Sequence, residues 1–451
     1  MAPRPADRDQ GPSSRCAGTL VLHDGAGAGR YGGTYGPADA GPTRPEWFAT
    51  TTLAGWPRRM TVQNATAADG PLVMQAAALG TLHDALRRSG YRVIGPTARD
   101  GAIVLDELES AADLPFGWGV SLEPGGYRIR RRDDGAAFGH SAGPQSWKQF
   151  LHPPREKIWS AHRAAGGFEI EPADEPPPRL AFFGVRPCDL NAIKIQDQVL
   201  GRGQHADSPY AVRRTAVFIV AVNCTEPGET CFCTSMGTGP EAGPGYDLAL
   251  TEMTGDGTHQ FLVDVGSPAG ADVIAAVPTG PAGEAATRSA RSAVAGAAGR
   301  MGRSMPASIL HDLMAASGDA ARWDDVAARC LTCGNCTMAC PTCFCTTVED
   351  TTDLSGDHAE RWQFWDSCFD LDFSNLHGGP VRSSPRSRYR QWLTHKLGTW
   401  HDQFGSSGCV GCGRCIVWCP VGIDLTEEVA ALQDELRRGG TPAPGPGGEQ
   451  S

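Results

Sequence analysis

Apolar residues recur at helical spacing through "PLVMQAAALGTLHDALRRSG" (residues 71–90), which predicts a helix stopped by Gly90. "YRVIGP" (91–96) follows as a short strand. The unbroken apolar run "RLAFFGV" (179–185) predicts a buried strand, and "CDLNAIKIQDQVL" (188–200) a helix with Leu190, Ile193 and Leu200 inward and Asp189 near its start. "TAVFIVAVN" (215–223) is a second buried strand. Strand, helix, strand in that order predicts a βαβ unit, with Cys188 and Cys224 just past the two strand ends, where such sheets gather function. The Ala/Gly/Ser stretch 277–300 reads as a linker, a surface helix, or both. Nearer the C-terminus, "SRYRQWLTHKLGTW" (387–400) predicts a helix entering a loop. "DLTEEVAALQDELRRGG" (424–440) predicts a helix capped by Asp424 or Thr426, with Leu425, Val429, Leu432 and Leu436 on one face and Gly439 as its stop.

Composition narrows the partners. Forty per cent of the 451 residues are hydrophobic, enough for real cores, while 57 Gly and 34 Pro imply many loops. The net charge of −11 disfavours nucleic acid, whose phosphates need concentrated Lys and Arg. The basic run "RIRRRDD" (128–134) is followed at once by acids and reads as a solvated face. No run approaches the roughly 20 apolar residues of a membrane span; "TAVFIVAV" is among the best. The start "MAPRPADRDQGPSSRC" has no apolar core of an export peptide. These features predict a soluble cytoplasmic protein, and in a reducing cytosol sixteen cysteines point to metal or redox chemistry rather than crosslinks.

Eight of them fall in a repeated pattern: Cys330-x2-Cys333-x2-Cys336-x3-Cys340-Pro341 and Cys409-x2-Cys412-x2-Cys415-x3-Cys419-Pro420. That run, occurring twice, is the pattern of a protein holding two [4Fe–4S] clusters. Three closely spaced thiolates wrap one cube, and the fourth leaves on a helix and reaches the other. Cys330, Cys333, Cys336 and Cys419 therefore form one ligand set, and Cys409, Cys412, Cys415 and Cys340 the other. Gly334, Gly411 and Gly413 let backbone amides approach the sulfurs. Paired zinc sites would favour two well-separated CxxC pairs instead. Residues 341–408 separate the motifs, far more than a small bacterial ferredoxin needs, and segments such as "RYRQWLTHK" make an α-helical dicluster ferredoxin the expectation.

A second group lies upstream: Cys188, Cys224, Cys231 and Cys233. It reads as a third metal site, either another [4Fe–4S] cluster or zinc, or else as buried or redox-active thiols, since free cysteine is often buried. Cys343, Cys345 and Cys368 complete or tune a site, or simply pack near the clusters; Cys16 lies in the arm. Arg186 and Asp189 read as a structural pair and helix cap. His140, His152, His377, His395 and His401 have no zinc-type spacing, and the GxGxxG-like string in "HDGAGAGRYGGTYG" lacks strand-to-helix context.

The predicted fold is thus α+β: a flexible arm (1–45), an α/β domain with the upstream cysteines (46–304), an α-helical dicluster ferredoxin domain (305–440) and a flexible tail (441–451). Over residues 110–435, "FFGVRPCDLNAIKIQDQV", "AVNCTEPGETCFCTSMGTGP", "WDSCF" and "CVGCGRCIVWCPVGIDLTEEV" resemble the β subunit of cytosolic sulfhydrogenases and the related A subunit of anaerobic sulfite reductase. The resemblance implies an electron-transfer subunit docked beside an FAD- and NAD(P)-binding subunit. It would exchange electrons with the small and large subunits of a [NiFe] hydrogenase, or with sulfite reductase subunits. The alternative is a sulfur or polysulfide reductase acting through the upstream cysteines.

Overall fold

Four parallel strands, Arg92–Arg99, Leu180–Val185, Phe218–Val222 and Leu248–Gly255, form the middle of an eight-stranded sheet. Thr258–Val265, Leu72–Gln75 and Gly280–Pro281 extend it on one side and Ala102–Glu107 on the other, all antiparallel. The computed structural model describes residues 70–439 apart from Ala142, 173–176, 203–205 and Asp256. The expected arm and tail, Cys16 and the GxGxxG-like string lie outside the described residues.

The expected βαβ unit is present. Leu180–Val185 is buried along almost its whole length, as a strand covered on both faces must be. It leads into the helix Pro187–Val199, which Pro187 starts by supplying a preset φ at a position whose N–H would be unpaired anyway. A second helix, Ser208–Ala216, precedes the parallel partner Phe218–Val222. Alternate residues serve opposite faces. Phe183 and Val220 pack under the helices Leu79–Arg88 and Pro268–Ile274. Phe182 and Ile219 pack against Leu190 and Ile193 of Pro187–Val199. The sheet is therefore the middle of three layers.

Three expectations change. The helix expected over 71–90 begins late: Leu72–Gln75 is a strand, paired with Thr258–Val265, and only Leu79–Arg88 is α-helical. Leu72, Val73 and Met74 gain a sheet partner there, and tertiary pairing overrides local spacing. The 277–300 stretch holds a 15-residue helix, Glu284–Ala298. The gap between the cysteine motifs, expected to be helical, opens with a β-hairpin, Thr346–Thr352 and His358–Trp365. Its second strand pairs with Arg155–Ala164, which pairs in turn with Gly167–Pro172, so this four-stranded sheet joins chain from both halves of the sequence. Side chains such as Trp362 and Phe364 carry the signal for it, each opposed by a cationic stem from the neighbouring strand.

Beyond the hairpin the stretch 387–400, expected to leave its helix for a loop, stays helical instead. Pro385–Thr394 runs into a π-helical turn, His395–Thr399, and then Trp400–Phe404. The last described helix, Leu425–Gly439, is capped by Asp424, whose Oδ1 accepts from the Thr426 N–H at 2.9 Å. It buries Leu425, Val429 and Leu432 against Trp323, Tyr389, Trp392 and Leu397, in a second core built around the cysteine motifs.

Candidate iron–sulfur centres

The two motifs adopt the same local geometry. In each, the second residue after the first cysteine is in the left-handed region, Thr332 at φ 52° and Gly411 at φ 66°. That turn aims its own N–H back at the cysteine: Thr332 N–H donates to Cys330 Sγ at 3.4 Å and Gly411 N–H to Cys409 Sγ at 3.4 Å. Gly334 and Gly413, both at φ 74°, then start the one-turn helices Asn335–Met338 and Arg414–Val417. Of the three glycines expected to bring amides to sulfur, Gly411 does so directly, and Gly334 and Gly413 turn the chain. A further N–H, from Ile423, donates to Cys419 Sγ at 3.3 Å.

Cys330, Cys333, Cys336 and Cys419 line one cavity of about 440 Å³, a volume that includes some open solvent. Its other walls include Phe369, Tyr389 and Trp392, while Cys415 of the second motif closes one side. Tyr389 Oη and Trp392 Nε1 are buried without a hydrogen-bond partner. Thiolates around an apolar cavity, backbone N–H groups on sulfur and orphaned donors in the wall together fit an anionic, sulfur-rich group. Burial raises the Cys330 and Cys336 thiols, and neighbouring cysteines, Cys419 included, add to the rise.

Cys340, Cys409, Cys412 and Cys415 form a second neighbourhood. Burial pushes Cys409 up to about 12, with Cys412 and Cys340 adding to the rise, and raises Cys415, which feels Cys409, Cys412, Cys340 and Cys336. Cys340 goes the other way: a hydrogen bond with Cys343, then Lys396 and Thr342, hold it well below the usual thiol range. Cys419 thus lines the cavity of the first motif, and Cys340 lies near Cys409, Cys412 and Cys415 of the second. A metal ion held by four thiolates draws the protons off outright, so raised thiols mark where binding and deprotonation are coupled. Among the described residues, no group of three or more His, Cys, Asp or Glu is gathered tightly enough for a single metal ion.

The upstream cysteines are brought together too. Cys188 lies in the first turn of Pro187–Val199, Cys224 just beyond Phe218–Val222, and Cys231 and Cys233 in the loop that follows. Burial raises all four, pushing Cys231 up to about 12, and each of Cys188, Cys231 and Cys233 also feels Cys412 of the second group. The contact is direct. Phe232 N–H donates to Gly411 O at 2.9 Å, and Thr238 Oγ1 donates to Val410 O at 2.6 Å. A Cβ on Gly411 would lie 2.6 Å from Cys233 N and 2.7 Å from Cys233 Cα. Gly411→Ala is therefore expected to push the Cys231–Cys233 loop off the second motif. Overpacking against backbone costs about 1–3 kcal/mol, read as a lower urea midpoint; an unchanged midpoint would mean the loop gives way freely.

One further reading is corrected. Arg186 and Asp189 are neither a pair nor a cap. Arg186 Nη2 donates to the carbonyls of Phe138 (2.7 Å) and His140 (2.5 Å), with Nη1 3.9 Å from Cys224 Sγ. Asp189 instead takes a bidentate bond from Arg414, at 2.7 and 2.9 Å, and both side chains are buried. The pair sits between Cys188 and Cys412, tying the upstream group to the second motif. The run 128–134 is a solvated face as expected, with Arg128, Arg130, Arg131, Asp133 and Asp134 exposed; on it Arg130 and Arg132 pair with Glu226, two residues after Cys224, and Arg132 with Asp134. No sequence signal linked Asp189 with Arg414, because their partnership exists only in the fold. Cys345 and Cys368 are neighbours beside Lys396, and burial pushes Cys368 up to about 12.

Residues 329–423 match the family model of a 4Fe–4S dicluster domain. Over 354 residues, 77% of this chain and 93% of the relative, the sequence is 33% identical to Sulfhydrogenase 2 subunit beta of Pyrococcus furiosus. No solved structure matches. Among the described residues, no helix is long and apolar enough to cross a membrane. The chain belongs to the sulfhydrogenase β-subunit family and is an iron–sulfur electron-transfer subunit.

Proposed function

We propose that this chain relays electrons between an FAD- and NAD(P)-binding subunit and a [NiFe] hydrogenase module through two [4Fe–4S] clusters. Cys330, Cys333, Cys336 and Cys419 hold the first; Cys340, Cys409, Cys412 and Cys415 hold the second. Cys188, Cys224, Cys231 and Cys233 hold a third centre. The observation that carries this reading is the continuity of the three groups. Cys415 lines the first cavity, and Cys412 stands among the upstream thiols. Bound clusters supply one-electron steps, which suit a path between a two-electron flavin and a distant metal. The chain's own part is to hold the thiolates, shield them with Trp392, Phe369, Val410 and Trp400, and donate N–H groups to sulfur. The first group also reaches the surface: Cys333 is exposed, beside exposed Leu331 and Val421. The relay is favoured over a thiol-based sulfur reductase because a reactive cysteine needs access to its substrate, whereas Cys188 and Cys233 are buried.

Protein reconstituted anaerobically is expected to hold at least about eight irons per chain, two cubes of four, and to give EPR signals on reduction. Affinity capture from its own host is expected to bring down flavin-containing and hydrogenase subunits. Two irons or fewer after careful reconstitution would end the cluster reading, and capture of sulfite reductase subunits instead would redirect the partner assignment.

A further inference from the structure

Both cysteine groups receive backbone N–H bonds, but among the described residues only the second has a buried ammonium in contact with a ligand sulfur. Lys396 sits in the π-helical turn His395–Thr399, and such turns often mark functional positions because they re-aim one side chain within a helix. Its residue is 3% exposed. Nζ donates to Cys340 Sγ at 3.4 Å, Thr342 Oγ1 at 3.0 Å and Gly408 O at 3.1 Å. None of these three partners is a carboxylate. Thr342 Oγ1 in turn donates to Gly408 O at 2.6 Å and lies 3.2 Å from Cys340 Sγ, so the ammonium is locked in place from both sides. Of the other cations beside this group, Arg414 is already matched by Asp189, and Lys148 Nζ donates to the Cys343 carbonyl at 3.0 Å and lies over the Trp365 ring rather than on a ligand sulfur. Beside the first group, Arg388 gives its guanidinium to the carbonyls of Phe369, Ser383 and Ser384, not to sulfur.

A buried cation needs an opposing charge, and the charge on offer here is sulfur. A fixed positive charge in a low-dielectric site favours whichever redox state carries more negative charge.

We infer that Lys396 sets the reduction potential of the second cluster above that of the first, so that an electron entering at the exposed Cys333 end comes to rest beside the upstream group. This rests on the two-cluster reading and adds a direction to it. Lys396 acts through Cys340 as a positioning charge and is not itself an electron carrier.

The test is a potentiometric EPR titration of the full-length reconstituted protein, with iron counted on every sample. The second cluster is identified as the signal lost in Cys409→Ala, and in the wild-type protein it is expected to have the higher midpoint. In Lys396→Met, the ratio of reduced to oxidised second cluster at fixed potential is expected to fall at least about tenfold, which is about 59 mV for one electron. The first cluster should not move, and Lys396→Arg should restore the wild-type midpoint. Full iron with an unshifted second midpoint overturns the inference, as does an equal shift of both clusters. If Lys396→Met loses iron, Lys396→Gln decides by the same titration, because it keeps an N–H donor without the charge. Loss of iron from both uncharged variants makes Lys396 a residue that holds the cluster and overturns its assigned role. Fewer than about eight irons in the wild-type protein defeats the two-cluster reading itself, an outcome distinct from full iron with unmoved potentials.

Discussion

Replacing Cys419 with alanine is expected to abolish the same EPR signal that Cys330→Ala abolishes, leaving the signal of its own motif intact. Each variant should lose about four irons, the content of one cube. Cys340→Ala should likewise share its spectrum with Cys409→Ala. The expectation comes from the cavity, which gathers Cys419 with Cys330, Cys333 and Cys336 although most of the second motif separates it from Cys409 in sequence. Cys340 lies on the other side, among the thiols of the second motif. The effect should be large because a cube that loses one of four thiolates has an unprotected iron. If Cys419→Ala matched Cys409→Ala instead, each motif would serve its own cluster and the crossed arrangement would be wrong.

The second large effect lies away from the sulfurs. Arg414→Met leaves the Asp189 carboxylate buried and without its bidentate partner. Breaking a buried pair from one side costs about 3–5 kcal/mol, whereas replacing both members with apolar residues is often neutral. Arg414→Met is thus expected to lower stability by that amount, read from urea unfolding of the reconstituted protein. The double variant Arg414→Met, Asp189→Leu should recover most of the loss. A single-variant loss below about 1 kcal/mol would put this pair with surface salt bridges, which are worth little. Arg414 separates Cys412 from Cys415, and Asp189 follows Cys188, so the single variant should also broaden or shift the EPR signal lost in Cys409→Ala.

Spacing and periodicity in the sequence were enough for the cysteine motifs, the βαβ unit and the last helix. Two short strands read correctly because Phe182, Phe183, Ile219 and Val220 are apolar on both faces, a pattern that only a covered strand shows. What local pattern could not carry was pairing. Leu72–Gln75 has helical spacing but finds Thr258–Val265 as a sheet partner. The hairpin between the motifs is exposed along its first strand and becomes a sheet only beside Arg155–Ala164. Asp189 looked like a helix cap until the fold set Arg414 against it. Lys396 carried no signal at all in the sequence, because its meaning lies in the three atoms around its ammonium.

The sheet that joins Arg155–Ala164 to His358–Trp365, and the Asp189–Arg414 pair spanning 225 positions, have a consequence for how the protein is made. Such distant partners fold slowly, because a long loop must close before they meet. A nascent chain leaving the ribosome holds its upstream thiols and strand ready, but their backing arrives only once His358–Trp365 and Arg414 have been made. Burial of the upstream thiols is therefore expected only after Arg414 has been made, and a protein truncated before Arg414 should emerge with its first-made cysteines exposed to oxidation.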